Sequence, residues 1–155
     1  MSSFGSQEFE CQDRVAYLLR SASRLTPALF FNVVTNVCTR LALVARAIPA
    51  ERLAQLVMAE AWTDAALFLI ELELPLWRIR RLTRDGGEWM CSLSRHPSLP
   101  VDMDDAADGW HATMPIAILL SVVEAKRLAT AAEREHAVRQ VKTPGLYPIC
   151  CDDFA

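Results

Sequence analysis

The sequence predicts an α+β fold: a mostly helical single domain with one β-hairpin, at about residues 76–95, between its third and fourth helices. Two observations support this prediction. Apolar residues recur at helical spacing up to Pro75 and again after residue 112, and between these stretches the period changes to two. A length of 155 residues fits one domain. We therefore expect a domain over residues 1–141 and an extended tail over residues 142–155.

The first two helices are predicted by apolar stripes and by one helix-start signal. Residues 9–25 place apolar side chains at alternating steps of four and three, which makes one face of an amphipathic helix. Thr26 before Pro27 is typical of a helix start, because proline needs no N–H donor in the first turn. The second helix is expected to run from there to about Ala47. Its predicted buried stripe consists of Phe30, Val33, Val34, Val37, Leu41, Val44 and Ile48.

Two further helices are expected on either side of the hairpin. Pro49 starts a helical stretch that ends at about Glu73. Because Thr63 could cap a separate helix, the sequence does not decide whether this stretch is continuous or is kinked or broken near Trp62. The final helix is expected to start at residue 112 or 113, with Pro115 in its first turn. Its first half should be buried. Its polar second half should face solvent.

The loop length of the hairpin decides which side chains share a face. A two-residue Asp-Gly loop would put Arg78 and Arg80 on the face of Trp89. A three-residue loop over residues 85–87 separates them and is the loop we expect, with Arg84 opposite Glu88. The apolar face then comprises Trp77, Ile79, Trp89, Cys91 and Leu93. Residues 96–111, with two prolines and four aspartates, are expected to form a loop.

Composition narrows the location and the class of function. The net charge of −3 and the pI near 5.6 argue against a general nucleic-acid binder. The N-terminal stretch has acids where a signal peptide would be basic, and no apolar window reaches the length of a membrane span. Five cysteines at irregular spacing fit free thiols in a reducing compartment. The chain is therefore expected to be cytoplasmic, without a membrane contact.

The first candidate site is the arginine face of the hairpin, formed by Arg78, Arg80 and Arg84. Guanidinium groups suit bidentate binding of anions. The plainer explanation is that charge on an exposed strand prevents sheet-to-sheet aggregation. No Trp or Tyr interleaves with these arginines on their own face, so nucleic-acid stacking has no platform there. An acidic protein partner, or the aspartate loop of the chain itself, is the expected counterpart.

The second candidate site is a metal site formed by Asp104, Asp105, Asp108 and His111. Asp108 and His111 have the spacing of ligands on one helix face. The stretch lacks the turn glycine and the distal glutamate of a calcium loop, and an acidic loop that caps a helix explains it as well. Neither catalytic residues nor a cofactor is predicted, so an enzyme is the less favoured interpretation.

The function predicted first is a small non-enzymatic cytoplasmic interaction protein, such as an adaptor, a chaperone-like protein or a regulatory module. Its expected partners are an unidentified protein and a second copy of itself. The homodimer would form by pairing of the second hairpin strand, whose interface residues would be Trp89, Met90, Ser92 and Ser94. The alternatives are nucleic-acid or anion binding through the arginine strand, and a metal-dependent protein that uses the loop from Asp102 to His111.

Overall fold

Six α-helices and a three-stranded antiparallel sheet form the fold in the computed structural model, which describes residues 4–44 and 48–141. This is the α+β class that the sequence predicts, so the predicted class is confirmed. The predicted tail, residues 142–155, lies outside the described residues. The elements in chain order are α1 Phe4–Ser21, α2 Pro27–Val37, α3 Thr39–Val44, α4 Ile48–Met58, α5 Trp62–Glu73, β1 Arg78–Asp85, β2 Glu88–Ser94, a 3-10 turn Val101–Met103, β3 Ala107–His111 and α6 Met114–Val141.

The start of α2 is confirmed, whereas its predicted length is wrong. The Oγ1 of Thr26 accepts a hydrogen bond of 3.3 Å from the Leu29 N–H, and Pro27 is the first helical residue. The helix stops at Val37 because the backbone of Cys38 leaves the helical region, with φ −94° and ψ 79°. The buried stripe nevertheless continues into α3. Its buried members are Phe30, Val33, Val37 and Leu41.

The helical stretch is broken just before Trp62, a question that the sequence did not decide. Helix α4 ends at Met58 and α5 begins at Trp62. Glu60 between them has φ 53°, a left-handed conformation that a continuous helix does not contain. Thr63 does not cap α5, because the cap position is Ala61, two residues earlier than that prediction requires.

Helix α6 is the central element of the fold. It contacts β2 and β3 of the sheet as well as α1, α2 and α5. Its first half is buried and residues 131–139 are exposed, as predicted. Pro115 lies in the first turn, where its missing N–H leaves no hydrogen bond unmade. Among the described helices, α6 included, none combines the length and the apolar character that a membrane crossing requires.

The hairpin lies where the sequence places it, but its predicted register is wrong. Asp85 pairs with Glu88 and Arg84 with Trp89, so the loop contains only Gly86 and Gly87. These glycines have φ of 56° and 90°, the values of a two-residue turn whose twist matches that of the strands. The predicted three-residue loop, with Arg84 opposite Glu88, is therefore replaced by a tighter turn.

This turn allows a test of the observed register. A Cβ added at Gly86 would meet no heavy atom within 4 Å, and asparagine tolerates left-handed backbone better than other residues do. Gly86→Asn should raise the free energy of unfolding by about 0.4–1 kcal/mol, because asparagine restricts the unfolded chain more than glycine does. Urea denaturation measures the change. Gly87→Asn is the control and should destabilise; equal losses at both positions would contradict the observed turn.

The tight turn and a β-bulge together distribute the arginines between the faces of the sheet. The register shifts between Ile79 and Arg81, so Arg80 is the extra residue of β1. Because directly paired residues share a face, Arg84 lies on the inner face that packs on α6, opposite Trp89. Arg81 is exposed on the outer face, opposite Ser92. The prediction that Arg84 shares an exposed face with Arg78 is thus wrong.

The sheet has a third strand that the sequence interpretation assigned to a loop. Residues 107–111 form β3, which pairs antiparallel with β2 and makes β2 the central strand. Aspartate and glycine are uncommon in strands, which is why this stretch was predicted as a loop. Gly109 has a packing reason: it lies against the backbone of α6, at Ala117 and Ser121.

Candidate functional site

The most open part of the fold is the outer edge of β1. The strand order is β1-β2-β3, so within the described residues one edge of β1 has no strand partner. An edge of this kind presents unpaired N–H and C=O groups to any extended chain that approaches. The strand is eight residues long and contains Arg78, Arg80, Arg81 and Arg84. The four arginines have different surroundings.

Arg80 is occupied by the acidic loop of the chain itself. Its Nη1 donates to Asp104 Oδ2 at 2.7 Å, and its Nη2 donates to the Leu99 carbonyl oxygen at 2.9 Å. The two charged side chains are 19% and 2% exposed, which makes this ion pair largely buried. Arg80 therefore fastens the 96–106 loop onto β1. It is not a free anion-binding group, and its counterpart is the aspartate loop considered in the sequence analysis.

Asp104 holds the other end of this contact. The hydrogen bond from Ser94, followed by that from Arg80, lowers the pKa of the Asp104 carboxyl below its ordinary value. A lowered pKa in the folded state means that the charged carboxylate stabilises the fold above the ordinary carboxyl pKa. This contribution is lost as the pH falls through the lowered value.

The Asp104 contact predicts a pH-dependent mutational effect. Asp104→Asn should lower the urea midpoint of unfolding at pH 7, because Arg80 is left largely buried without its carboxylate. The difference from the unmodified chain should narrow as the pH falls below about 4, where the unfolded carboxyl also becomes protonated. The control is Asp105→Asn, at an exposed neighbouring position. A midpoint difference that does not change with pH would contradict the charge interaction.

The other three arginines have no carboxylate partner. Arg78 donates to the carbonyl oxygens of Pro75 and Trp77 at 2.7 and 2.9 Å. The guanidinium carbon of Arg84 lies 6.0 Å from the centre of the Trp89 ring. Arg81 is exposed on the outer face. Within the described residues none of the three forms an ion pair, so three uncompensated positive charges follow one open strand.

The third strand adds an aromatic side chain to the outer face. Trp110 pairs with Met90 and is 52% exposed, and Thr83 continues the same row on β1. The expectation that no aromatic shares a face with hairpin arginines is therefore wrong. The next row carries Arg81, Ser92 and Asp108, so an acid also lies on this face. The alternation of small and large side chains in "ADGWH" was the signal for this strand.

The proposed metal ligands are not brought together. Asp104 is bound to Arg80, and Asp108 lies on the outer face of the sheet opposite Ser92. His111 pairs with Trp89, on the inner face, because residues three apart on a strand point to opposite sides. Its Nδ1 accepts a 3.0 Å hydrogen bond from the Thr113 N–H. Over residues 4–44 and 48–141, no group of three or more His, Cys, Asp or Glu side chains is arranged to hold a metal ion.

The residues predicted for a dimer interface lie on the central strand. Trp89, Met90, Ser92 and Ser94 belong to β2, which is paired with β1 on one side and with β3 on the other. Ser94 is fully buried. The predicted pairing of this strand with a second copy is therefore wrong, because both of its edges are already used.

A second buried polar cluster, missed by the sequence analysis, joins three helices. The Glu73 carboxylate accepts hydrogen bonds from the N–H groups of Arg40, at 3.1 Å, and Leu41, at 2.8 Å. Lys126 Nζ lies 2.6 Å from Glu73 Oε1 and donates to Thr39 Oγ1 at 3.2 Å. Glu73 thus caps α3 from the end of α5 and pairs with α6. The only signal in the sequence was an acid at the apolar end of a helix.

The buried thiols are poor nucleophiles. Burial, reinforced by the nearby Glu73 charge, raises the pKa of Cys38 to about 12. Burial also raises the pKa of Cys91, whose Sγ accepts a 3.2 Å hydrogen bond from Ser121 Oγ. Both groups stay protonated at neutral pH, and a thiol reacts as the thiolate. Cys11 is a free, exposed thiol, and Cys150 and Cys151 lie outside the described residues.

The arrangement is suited to binding rather than to a reaction of these thiols. It offers an open strand edge, three arginines without carboxylate partners, and one exposed tryptophan on the adjoining outer face. Comparisons of the chain with protein-family models, with curated proteins and with solved structures find no match.

Proposed function

We propose that this protein is a small non-enzymatic interaction module that binds an acidic segment of a partner protein along the open edge of β1. The observation that carries the proposal is the unpaired edge together with Arg78, Arg81 and Arg84, which have no carboxylate partners in the described chain. A strand edge supplies main-chain hydrogen bonds to an added strand. Arginine supplies planar donors that match carboxylates.

The charge around the open edge of β1 favours a protein partner over a nucleic acid. The whole chain carries a net charge of −3, and Asp85, Glu88 and Asp108 lie on the same small sheet. A phosphate backbone would be repelled over most of this surface, whereas a short acidic segment need only meet the arginines. Nucleic-acid binding is the second candidate function, supported by Trp110 on the outer face. The cytoplasm is the location we propose, supported by the free thiols of Cys38 and Cys91.

Two ligands separate these functions. Binding of a short fluorescent acidic peptide and of a short single-stranded DNA is measured by anisotropy at several salt concentrations. Reversing three charges, Arg78→Glu with Arg81→Glu and Arg84→Glu, should weaken peptide binding by about tenfold or more, since like charges then oppose the ligand. Arg80 is left intact because it holds the 96–106 loop.

The matched control reverses three exposed arginines elsewhere, Arg14, Arg20 and Arg24, and changes the net charge by the same amount. Peptide binding should stay within about twofold in this variant. Equal losses in both variants would mean that only net charge matters and would contradict the proposed site. Tighter binding of the DNA, lost on reversal of the β1 arginines, would favour the second function instead.

The homodimer remains a prediction that needs another interface than β2. Self-pairing of β1 about a two-fold axis at Arg81 would set Arg78 opposite Arg84 of the second copy, and like charges directly opposite are destabilising. Light scattering over a dilution series measures the mass. A mass of 17.3 kDa at every concentration would contradict the homodimer.

A further inference from the structure

An apolar groove runs beside the first half of β1. It has a volume of about 620 Å³ and lies between the end of α5 and the strand. Ile79, an inner-face residue that is 37% exposed, points into the space that α5 leaves open. The groove is therefore continuous with the open edge. Its lining residues are Leu67, Ile70, Glu71, Pro75, Trp77, Arg78 and Ile79.

The groove exists because β1 overhangs the helix layer. Helix α6 packs on β2 and β3, and the main contact of β1 is with β2. Trp77 and Ile70 are almost fully buried and form its floor, so the groove is preformed in the unbound chain. A preformed apolar recess next to a strand edge fits alternate side chains of an added strand, because every second side chain of a strand points to the same face.

In its first half, beside the groove, β1 demands opposite chemistry from such a strand on its two faces, whereas Arg84 adds a positive charge to the inner face near the turn. Side chains that follow the outer face meet Arg81 and also Arg78, whose side chain lines one side of the groove, and both arginines favour carboxylates. Side chains that follow the inner face meet Ile79 and the groove, which favour apolar groups. A second copy of β1 cannot meet this demand, since it would bring arginines to arginines.

We infer that the β1 edge and the groove together select an extended partner segment in which acidic and apolar residues alternate. This inference rests on the proposed function and specifies its ligand. The carboxylates lie along the outer face, the apolar side chains enter the groove, and the main chain of the segment adds a fourth strand to the sheet. Acidity alone is then insufficient for tight binding.

The test compares synthetic peptides of one composition. A peptide that alternates aspartate and valine should bind about tenfold tighter than one with an aspartate block followed by a valine block. N-methylation at every second amide of the alternating peptide removes the donors of one edge. Methylation of one such set should weaken binding by about tenfold, and methylation of the other should leave it within about twofold, because only one edge of the added strand faces β1.

Variants of the protein locate the groove. Ile79→Asn should weaken binding of the alternating peptide by about tenfold and leave binding of the block peptide unchanged. The reason is that a polar side chain makes the groove less favourable for apolar groups. Met58→Asn is the control, at a position on α4 that is 78% exposed. Far-UV circular dichroism checks that both variants keep the fold.

The outcomes separate the two proposals. The strand-addition inference is overturned if both peptides bind equally and neither set of N-methylations changes the affinity. The proposed function still stands in that case, provided that reversal of the β1 arginines abolishes binding. If no acidic peptide binds, the proposed function itself is overturned. Pattern-dependent binding that survives Ile79→Asn would overturn the groove as the site of the apolar side chains.

Discussion

Glu73→Ala should lower the free energy of unfolding by about 3–5 kcal/mol, the range for removing one partner of a buried ion pair. The Glu73 side chain is fully buried and Lys126 is only 14% exposed, so the lysine is left without its counter-charge. The N–H groups of Arg40 and Leu41 lose their acceptor as well, which removes the cap of α3. Chemical denaturation with circular dichroism as the signal measures the loss.

Two variants separate the charge from the cap. Glu73→Gln keeps an oxygen for the α3 N–H groups and should cost less than Glu73→Ala. Replacing both Glu73 and Lys126 by methionine should recover much of the loss, because an apolar pair leaves no buried charge. Glu71→Ala, at an exposed position of the same helix, should stay within about 0.5 kcal/mol. A loss below about 1 kcal/mol for Glu73→Ala would contradict the buried pair.

Gly109→Ala should destabilise the fold by about 3 kcal/mol, at the upper end of the range for overpacking. An added Cβ would collide with the Ala117 carbonyl oxygen and lie 2.5 Å from the Ser121 nitrogen. Both are backbone atoms of α6, so neither can rotate away. The strand and the helix would have to separate, and thermal or urea unfolding would report the loss.

A neighbouring position provides the control for Gly109. Asp108→Ala changes an exposed residue on the opposite face of the same strand and should cost within about 0.5 kcal/mol. Leu120→Gly removes the Leu120 Cβ, which would lie 2.9 Å from the added Cβ, but combining it with Gly109→Ala should not restore stability relative to Leu120→Gly alone, because the two closer atoms belong to the backbone. Recovery in the double variant would mean that side-chain crowding, and not the helix–strand distance, requires the glycine.

Local signals predicted the helical part of the fold well. The Thr26 cap, the buried first half of α6 and its exposed end all follow from neighbouring residues and from the apolar period. The break at Cys38 could not be predicted in this way. It depends on Glu73, which supplies the cap of α3 from another helix, and no local pattern contains that contact.

The candidate site was predicted in composition but not in arrangement. The arginine strand and the acidic loop were both identified from the sequence, and the contact between Arg80 and Asp104 joins them. The register of the turn, the bulge at Arg80 and the third strand decide which side chains share a face of the sheet, and none of the three was predicted. The two-residue turn pairs Arg84 with Trp89 and so moves it to the inner face, and the extra residue Arg80 reverses the alternation again, so that Arg78 stays on the outer face opposite Ser94. Gly109 was the one residue whose type indicated a close approach within a strand.

The remote cap of α3 has a consequence for the order of folding. Helix α3 has six residues, far fewer than the ~12–15 that an isolated helix needs to be even marginally stable in water. Its first N–H groups find their acceptor 32 and 33 residues away, and that acceptor is held by a lysine a further 53 residues along. Closure of these long loops must precede the helix. We therefore expect helix α3 to form late in folding, with kinetic φ-values near zero, and its first amide protons to exchange with solvent at each opening that parts α3 from the Glu73 end of α5.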